Sequence, residues 1–283
     1  MSGRSGAWLF HRGALGDSIL LWPLLRLLVA EHGHVSFVAD ASKARLAARF
    51  ISGVEPVDAE QPRFNAMFAP SPNPTRDFRQ INAARVLCFL FGEVDATSET
   101  WAANARAMFP GADIELIHER PDALLARRMA PEHLHGPSRG DRFGPIIIHV
   151  GAGSNLKRWP LDRWSEIDRL VTTRELLFIA GEAEADAIAT CKWSPQTDQR
   201  GWTLIDSLDE LADELVDARA FVGFDTGPTH LAAQLGLPTL ALFGPTDPNR
   251  WSPIGPLVRI LAPARPTPDM SWLSSDVVAR AIA

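Results

Sequence analysis

The start of the chain alternates between short apolar runs and one longer stretch in which apolar residues recur with helical spacing. An apolar run at 7–11 leads into the glycine-containing turn 13–16. From Asp17 onward leucines recur three and four residues apart, which is the period of an amphipathic helix. A second apolar run at 35–39 completes a strand–helix–strand unit. Strands joined in this way pair in parallel through a right-handed crossover, so an α/β domain is predicted.

The middle of the chain interrupts this pattern, and the second half repeats it. Apolar runs at 85–91 and, more weakly, at 114–117 predict further strands. Residues 131–145 are rich in Pro, Gly, His and Arg without any period, which is typical of a linker. The alternation then restarts, with strands predicted at 146–150, 176–180, 220–224 and 239–243, and helices at 161–171, 182–191, 207–216 and 229–235.

Alternating strands and helices on both sides of a linker predict an α/β fold with two doubly wound parallel sheets. We predict an N-terminal Rossmann-like domain at 1–140 and a C-terminal Rossmann-like domain at 141–265. Residues 266–283 are predicted to form a C-terminal helix, for which packing back on the N-terminal domain is one option. Two domains of similar size joined by one linker are expected to face a central cleft.

Composition narrows the classes of function. The 283 residues are 46% hydrophobic and 22% charged, which is ordinary for a folded globular protein. The formal net charge of −6 argues against a broad nucleic-acid-binding face. Cys88 and Cys191 belong to no CxxC or Cys/His cluster, which argues against a disulfide framework or a structural zinc site. The apolar helical stretch 19–30 is shorter than the ~20 residues of a membrane span, so we expect a soluble protein.

The turn at 225–228 is the strongest candidate for a site. It follows a predicted strand, and Pro228 suits the first turn of a helix because its missing N–H would be unpaired there. The N–H groups of Thr226, Gly227 and Thr229 are then expected to face outward at the positive end of the helix, which favours anions. The alternative is that Asp225 or Thr226 only caps the helix.

Two further strand-to-helix turns carry polar groups. The segment HVGAGSNLKRWP at 149–160 combines small residues with the Ser154 hydroxyl and the Lys157 ammonium, which suits a phosphate but lacks the spacing of a triphosphate P-loop. A solvated lysine at a plain turn is the alternative.

The segment GALGD at 13–17 lacks the GxGxxG spacing, which disfavours a nicotinamide dehydrogenase. Asp17 either caps the following helix or presents a carboxylate at the ligand-binding edge of the sheet.

Taken together, these loops resemble glycosyltransferase family 9, the ADP-heptose:lipopolysaccharide heptosyltransferase-like proteins. The resemblance is carried by Gly16-Asp17 with Pro23 downstream, by HxGAGSxxKRWP, and by DTGPxHLAAxLGxPTxALFGPTxPxxW. It covers the first loop and most of 146–256, and it is weak between about 40 and 140. The resemblance implies a GT-B fold and an inverting transfer that needs no metal ion.

The resemblance also implies roles for individual residues. Asp17 matches the general base that deprotonates the acceptor hydroxyl. Lys157 matches the lysine that binds the donor diphosphate, with Ser154 beside it. The other matches are Asp225, Thr226, Gly227 and Pro228 at the donor phosphates, Glu184 or in a competing register Glu182 at the donor ribose, Gly16 and Arg12 in the acceptor loop, and His230 as a supporting residue.

The implied function is hexosyl or heptosyl transfer, with ADP-heptose as donor and a lipopolysaccharide-core or other cell-surface glycan or glycolipid as acceptor. We expect a cytoplasmic enzyme, with peripheral contact at the inner membrane left open. No cofactor or metal ion is expected, and no nucleic-acid partner. The alternatives are a nucleotide-sugar-binding protein with another donor or acceptor, or one without transfer activity. A GT-B epimerase would need acid/base groups around the sugar that the sequence does not locate.

Overall fold

A computed structural model describes residues 6–69, 79–90, 95–137, 143–195 and 201–282. The chain divides into two compact units, 1–134 and 135–283. This division lies within the segment expected to be a linker, of which residues 138–142 are outside the described part, as is residue 91 of the expected strand 85–91. Among the described helices, none combines the length and the apolar character that crossing a bilayer requires.

The first unit is a five-stranded parallel sheet flanked by helices, in the strand order β3-β2-β1-β4-β5. Its strands are β1 (Ala7–Phe10), β2 (Val35–Ala39), β3 (Val54–Asp58), β4 (Arg85–Phe89) and β5 (Asp113–Ile117). Its helices are α1 (Leu15–Leu20), α2 (Trp22–His32), α3 (Ala41–Phe50), α4 (Pro62–Asn65), α5 (Ala96–Met108) and α6 (Ala123–Met129), with 3₁₀ turns at Ala66–Phe68 and Pro131–His133.

The second unit is a six-stranded parallel sheet in the order β11-β10-β9-β6-β7-β8. Its strands are β6 (Ile146–His149), β7 (Leu176–Ala180), β8 (Trp202–Leu204), β9 (Ala220–Phe224), β10 (Thr239–Leu242) and β11 (Val258–Leu261). Its helices are α7 (Leu161–Leu170), α8 (Ala185–Thr190), α9 (Leu208–Asp217), α10 (Gly227–Gln234), α11 (Pro248–Trp251) and α12 (Ser275–Ile282), with 3₁₀ turns at Asn155–Lys157 and Glu182–Glu184.

Local chemistry explains several element boundaries. The side chains of Asp40, Asp95, Asp122 and Ser207 accept hydrogen bonds from first-turn N–H groups and so begin α3, α5, α6 and α9. The first predicted helix is divided into α1 and α2, with Pro23 in the first turn of α2. Because proline has no N–H to donate, the helix restarts there instead of continuing.

The C-terminal helix α12 packs on α7 within the second unit. Its apolar residues Val278 and Ala279 are buried in the same core cluster as Trp164 and Ile167 of α7. This packing removes the apolar stripe of an amphipathic helix from water, which is the main source of helix stability in a protein.

Both sheets have a point at which the strand order reverses. In the first unit the chain moves outward from β1 in one direction and later adds β4 on the other side of it. In the second unit β6 has the same position, with β7 on one side and β9 on the other. Ligands of open parallel sheets bind beyond the carboxyl ends of the strands at such points. The loops after β1, β6 and β9 therefore lie where a ligand is expected.

Candidate active site

In the second unit, Lys157 and Asp225 meet across the point of strand reversal. Lys157 ends the 3₁₀ turn after β6, and Asp225 directly follows β9. The Lys157 Nζ donates to Asp225 Oδ2 at 2.8 Å and lies 3.5 Å from the Asp225 carbonyl oxygen. An ammonium has three N–H donors, so at least one is left for an anion. Two residues that the sequence analysis took from separate motifs are thus brought together.

Asp225 is held as an anion by two neighbours. Its side chain is only 10% exposed, and the Nε2 of His230 lies 3.5 Å from Oδ1. Burial alone would raise the pKa of this carboxyl, but hydrogen bonding and charge from His230 and Lys157 outweigh it and lower the pKa to about 2. Asp225 is therefore ionised near neutral pH and fixes the position of the Lys157 ammonium.

The N-terminus of α10 differs in part from the sequence expectation. Thr226 is the capping residue but its side chain makes no capping hydrogen bond, and the Asp225 side chain is engaged with Lys157 and His230. The alternative that either side chain only caps the helix is therefore wrong. The N–H of Thr229 does not face outward, because it donates to the Thr226 carbonyl at 3.1 Å. Gly227 begins the helix and Pro228 follows, so the Gly227 N–H lacks an intrahelical acceptor.

The loop after β6 needs glycine where it approaches Glu184. A Cβ on Gly151 would lie 2.6 Å from Glu184 Oε2 and 2.9 Å from His149 Nε2, which is closer than side chains tolerate. Farther along the loop, Ser154 is exposed and precedes the 3₁₀ turn, and its carbonyl accepts the Lys157 N–H at 3.1 Å. The loop thus runs over Glu184 and leaves the Ser154 side chain at the surface.

Of the two acidic residues proposed for the ribose, only Glu184 is buried under this loop, whereas Glu182 is exposed. Arg158 Nη2 lies 2.7 Å from Glu184 Oε1, and the Gly181 N–H donates to Oε2 at 3.3 Å. Arg158 also donates to the Ala152 carbonyl at 3.1 Å, so it ties Glu184 to the loop. Sequence reasoning missed Arg158, although its position beside Lys157 in the same motif was a usable signal.

In the first unit, Asp17 lies in the first turn of α1 and forms a two-pronged ion pair with Arg120. Arg120 Nε lies 3.2 and 3.1 Å from the two carboxylate oxygens of Asp17, and Nη2 lies 3.0 Å from Oδ2. Ala14 is the capping residue of α1, so the alternative that Asp17 caps this helix is wrong. Arg120 was not predicted. Arg120 follows β5 and is 103 residues away from Asp17 in the sequence, so the two residues meet only because of the order of the strands in the sheet.

A buried histidine shapes the turn before Asp17. His11 Nε2 accepts the Gly13 N–H at 3.2 Å, and Lys43 Nζ donates to the Gly13 carbonyl at 2.9 Å. Burial, followed by the charges of Lys43 and Arg120, lowers the pKa of His11 to about 3. A Cβ on Gly13 would lie 2.5 Å from the His11 ring, so a larger residue here would displace that buried ring. The ring is neutral and the turn is rigidly supported.

The other two residues assigned to the acceptor loop have different surroundings. Gly16 precedes Asp17 in α1. Arg12 is exposed and turns toward the loop after β3, where it donates to the Ala59 carbonyl and, at 2.9 Å, to Asn65 Oδ1. Arg12 therefore supports that loop, and its side chain is not engaged with Asp17 in the described contacts.

Within the described part of the chain, no three His, Cys, Asp or Glu side chains are grouped closely enough to hold a metal ion.

Comparison of the sequence with known proteins identifies a family that matches more than half of this chain. Residues 118–275 match the model of "Glycosyltransferase family 9 (heptosyltransferase)". Lipopolysaccharide heptosyltransferase 1 of Salmonella typhimurium is 34% identical over 139 residues, or 47% of this chain and 42% of that protein. Lipopolysaccharide heptosyltransferase 3 of Escherichia coli is 31% identical over 116 residues, or 38% and 33%. The matched segments thus span less than half of these curated relatives.

Solved structures show the same fold over the whole length. The Escherichia coli heptosyltransferase WaaC with ADP superposes with a TM-score of 0.64 over 98% of both chains, at 17% identity. The glycosyltransferase family 9 protein of Veillonella parvula gives a TM-score of 0.69 over 100% of this chain and 97% of that one, at 16% identity. The two parallel α/β units are therefore those of the GT-B fold.

Proposed function

Because the chain belongs to glycosyltransferase family 9, whose model matches more than half of it, we propose that it is an inverting, metal-independent glycosyltransferase. The proposed donor is ADP-heptose, and the proposed acceptor is lipopolysaccharide core or another cell-surface glycan or glycolipid. The names of the matched relatives support this choice, since they are lipopolysaccharide heptosyltransferases. Solved structures of similar fold bind ADP or ADP-2-deoxy-2-fluoro heptose.

The observation that carries the proposal is the Lys157–Asp225 pair at the point of strand reversal. A buried, ionised carboxylate orients an ammonium at the edge of the sheet where nucleotides bind in doubly wound folds. The Gly227 N–H lies at the start of α10, whose dipole also favours negative charge. A diphosphate bound here would receive hydrogen bonds from Lys157 and from this backbone N–H.

The same groups suit the chemical step. When the bond between the anomeric carbon and the diphosphate oxygen breaks, negative charge grows on the leaving diphosphate. A preorganised ammonium and helix N-terminus stabilise that charge more in the transition state than in the ground state. We assign this role to Lys157, with the exposed Ser154 hydroxyl and the turn at Thr226, Gly227 and Pro228 completing the phosphate site.

Asp17 is proposed as the general base in the first unit. Its carboxylate takes the proton of the acceptor hydroxyl while that oxygen bonds to the anomeric carbon on the face opposite the leaving diphosphate, which inverts the configuration. The Arg120 fork occupies part of the carboxylate, and a carboxylate has about four lone-pair positions. An acceptor hydroxyl can therefore bind while Arg120 keeps the orientation of the carboxylate.

Glu184 is the favoured ribose ligand of the two candidates, because it is the buried one and its position is fixed by Arg158 and the Gly181 N–H. A ribose hydroxyl would donate to one of its oxygens. His230 is proposed to support Asp225 without touching the donor. The cytoplasmic location and peripheral contact with the inner membrane stay predictions.

The test is an assay of donor and acceptor together. Purified protein is incubated with ADP-heptose, UDP-sugars or GDP-sugars and with lipopolysaccharide-core acceptors, and both ADP release and the mass of the glycan are followed. We expect ADP release with ADP-heptose and a product heavier by one heptose. Tight ADP binding without product for any acceptor would support the alternative, a nucleotide-sugar-binding protein without transfer activity. Preference for UDP or GDP would overturn the assigned donor.

A further inference from the structure

His149 ends β6 at the point where the strand order of the second sheet reverses. The residue is partly exposed, but its ring nitrogen Nδ1 is enclosed and has no hydrogen-bond partner. Among the described residues, the other ring nitrogen, Nε2, makes no hydrogen bond either. A buried nitrogen without a partner costs stability, so packing does not explain an imidazole at this position. Because Nδ1 is the enclosed atom, Nε2 is the nitrogen that a ligand can reach.

Nε2 of His149 lies beside the carboxylate of Glu184. A Cβ on Gly151 would be 2.9 Å from this nitrogen and 2.6 Å from Glu184 Oε2, so both polar atoms lie against the same glycine. No hydrogen bond or ion pair joins the two side chains in the described part of the chain. They are therefore too far apart to bond directly, yet close enough to contact neighbouring oxygens of one ligand.

Glu184 itself has little room for a ligand. Arg158 Nη2 lies 2.7 Å from Oε1, and the Gly181 N–H donates to Oε2 at 3.3 Å. Gly151 covers Oε2 from another side. A carboxylate has about four lone-pair positions, of which these contacts take up at least half. Glu184 can accept one hydroxyl of a ribose, and the adjacent hydroxyl then needs a second partner.

The charge state of His149 suits a hydroxyl better than a phosphate. Burial, and then the charge of Arg158, lowers the pKa of the ring to about 4, so the ring is neutral near neutral pH. A neutral imidazole has one N–H donor and one acceptor nitrogen. A hydroxyl both donates and accepts, so it can pair with Nε2 in either tautomer, whereas a phosphate is better matched by the Lys157 ammonium.

We propose that His149 is a specificity-determining residue, whose Nε2 binds one ribose hydroxyl of the donor while Glu184 binds the adjacent one. The strand order supports this placement, since β6 lies between β9, which leads to Asp225, and β7, which leads toward Glu184. A nucleotide with its diphosphate at Lys157 and its ribose at Glu184 therefore crosses the end of β6. The inference rests on the proposed nucleotide-sugar function, but not on the identity of the base.

Calorimetry with deoxyribose analogues tests this inference without any acceptor. Binding of ADP, 2′-deoxy-ADP and 3′-deoxy-ADP is measured for wild type, His149→Asn and Glu184→Gln. If the donor assay selects another base, the same three forms of that nucleotide are used. In wild type, loss of the hydroxyl on His149 should weaken binding about 2- to 10-fold, and loss of the hydroxyl on Glu184 about 10-fold or more. His149→Asn should remove the penalty for one analogue, and Glu184→Gln should reduce it for the other.

His149→Gln is the matched variant, because its amide reaches about as far as Nε2, whereas the amide of Asn reaches only as far as Nδ1. The Gln variant should keep the discrimination that the Asn variant loses, which separates a contact with the ribose from a change in folding. His135→Asn, at an exposed histidine of the same unit, should bind all three nucleotides like wild type.

Three outcomes would overturn the role of His149. They are wild-type discrimination against both analogues in His149→Asn, equal losses in the Asn and Gln variants, and loss of discrimination against both analogues at once. In each case tight binding of ADP would leave the proposed function standing. Failure of wild type to bind any ribonucleoside diphosphate would overturn the proposed function together with the inference.

Discussion

The turns that follow β1 and β6 occupy the same place in their sheets and carry opposite charges. Each begins at a histidine, the buried His11 or the partly exposed His149, whose pKa is lowered chiefly by burial. The first turn leads to a carboxylate, Asp17, that a guanidinium holds. The second leads to an ammonium, Lys157, that a carboxylate holds. The same kind of turn thus presents a carboxylate in one unit and an ammonium in the other.

The partners differ in a way that suits these roles. Arg120, the partner of Asp17, has a side chain that is 53% exposed, so this ion pair lies at the surface. Asp225, the partner of Lys157, is 10% exposed and is also approached by His230. In the proposed mechanism, the position in the sheet therefore determines where a ligand binds, and the sign and burial of the charged side chain determine its role.

The strongest test of the first turn is Asp17→Asn, which keeps the shape of the side chain and removes the base. We expect transfer to fall by about 10²- to 10⁴-fold, the usual size of a general-base contribution. ADP affinity should stay near wild type, because the residues proposed to bind the donor belong to the second unit. Steady-state kinetics and calorimetry with ADP check both. Glu119→Gln, at a surface carboxylate paired with Arg128, is the matched control. Turnover above about half of wild type would exclude Asp17 as the base.

The corresponding test of the second turn is Lys157→Ala. Loss of a charge-assisted hydrogen bond worth roughly 1.5–3 kcal/mol should weaken ADP binding by about 10- to 100-fold. Transfer should slow further, because charge on the diphosphate grows in the transition state. Lys157→Arg should rescue only partly, since a planar fork replaces a compact ammonium. Lys192→Ala, at an exposed lysine of the same unit, is the control. Unchanged ADP affinity together with an unchanged rate would remove Lys157 from the site.

Arg120→Lys tests the first turn further, because it keeps the positive charge beside Asp17 and removes the two-nitrogen contact of the guanidinium. We expect the turnover number to fall by about tenfold, because the Asp17 carboxylate loses its fixed orientation. The KM for the donor should not change. Arg128→Lys changes in the same way the exposed guanidinium that pairs with Glu119, and it should be silent. An effect of Arg120→Lys on donor KM alone would assign this arginine to substrate binding instead.

The second unit was easier to predict from sequence than the first. Its strands β6, β7, β9 and β10 are buried on both faces and appear as continuous apolar runs, which is the clearest signal of a parallel sheet. In the first unit, β3 went unpredicted because it is an edge strand that carries Pro56 and buries only Val54 and Val57 well. Helices α3, α5 and α6 were also missed, as were strands β8 and β11 at the edges of the second sheet.

The same contrast holds for the candidate site. Lys157 and Asp225 each follow a predictable strand, so their loops could be assigned before their contact was known. The Asp17–Arg120 pair depends on β1, β4 and β5 being neighbours, and local patterns carry no information on strand order. The assignments of Asp17, Lys157 and Glu184 to chemical roles stay predictions until such variants are measured.

The lowered pKa values of His11 and His149 predict that the folded protein loses stability in acid. The pKa of His149 is lowered from 6.5 to about 4, first by burial and then by the charge of Arg158. The unfolded chain takes up this proton as the pH falls through about 6.5, whereas the folded chain does not until about pH 4. Stability is therefore full above pH 6.5 and is lost as the pH falls. Between about pH 7 and 5.5 the loss for one such histidine is about 1 kcal/mol.

Urea denaturation of His149→Gln at several pH values checks this expectation. Between about pH 7 and 5.5, the free energy of unfolding should fall by about 1 kcal/mol less in the variant than in wild type, whatever the variant's stability at neutral pH. His11→Gln should behave alike if the two turns are equivalent. His135→Gln, at an exposed histidine, is the matched control. An unaltered pH dependence in His149→Gln would show that this ring does not resist protonation in the folded protein.

The smallest expected effect is that of removing divalent cations, which should leave transfer unchanged. In the proposed mechanism, Lys157 and the start of α10 in the second turn offset the charge on the diphosphate that a metal ion would otherwise offset. The nearby carboxylates are already engaged, Asp225 by Lys157 and Glu184 by Arg158. Transfer is measured with EDTA and with added magnesium or manganese, and the product is read by mass spectrometry because coupled enzymes for ADP often need magnesium themselves. Activity that EDTA abolishes and magnesium or manganese restores would contradict the cationic role given to this turn.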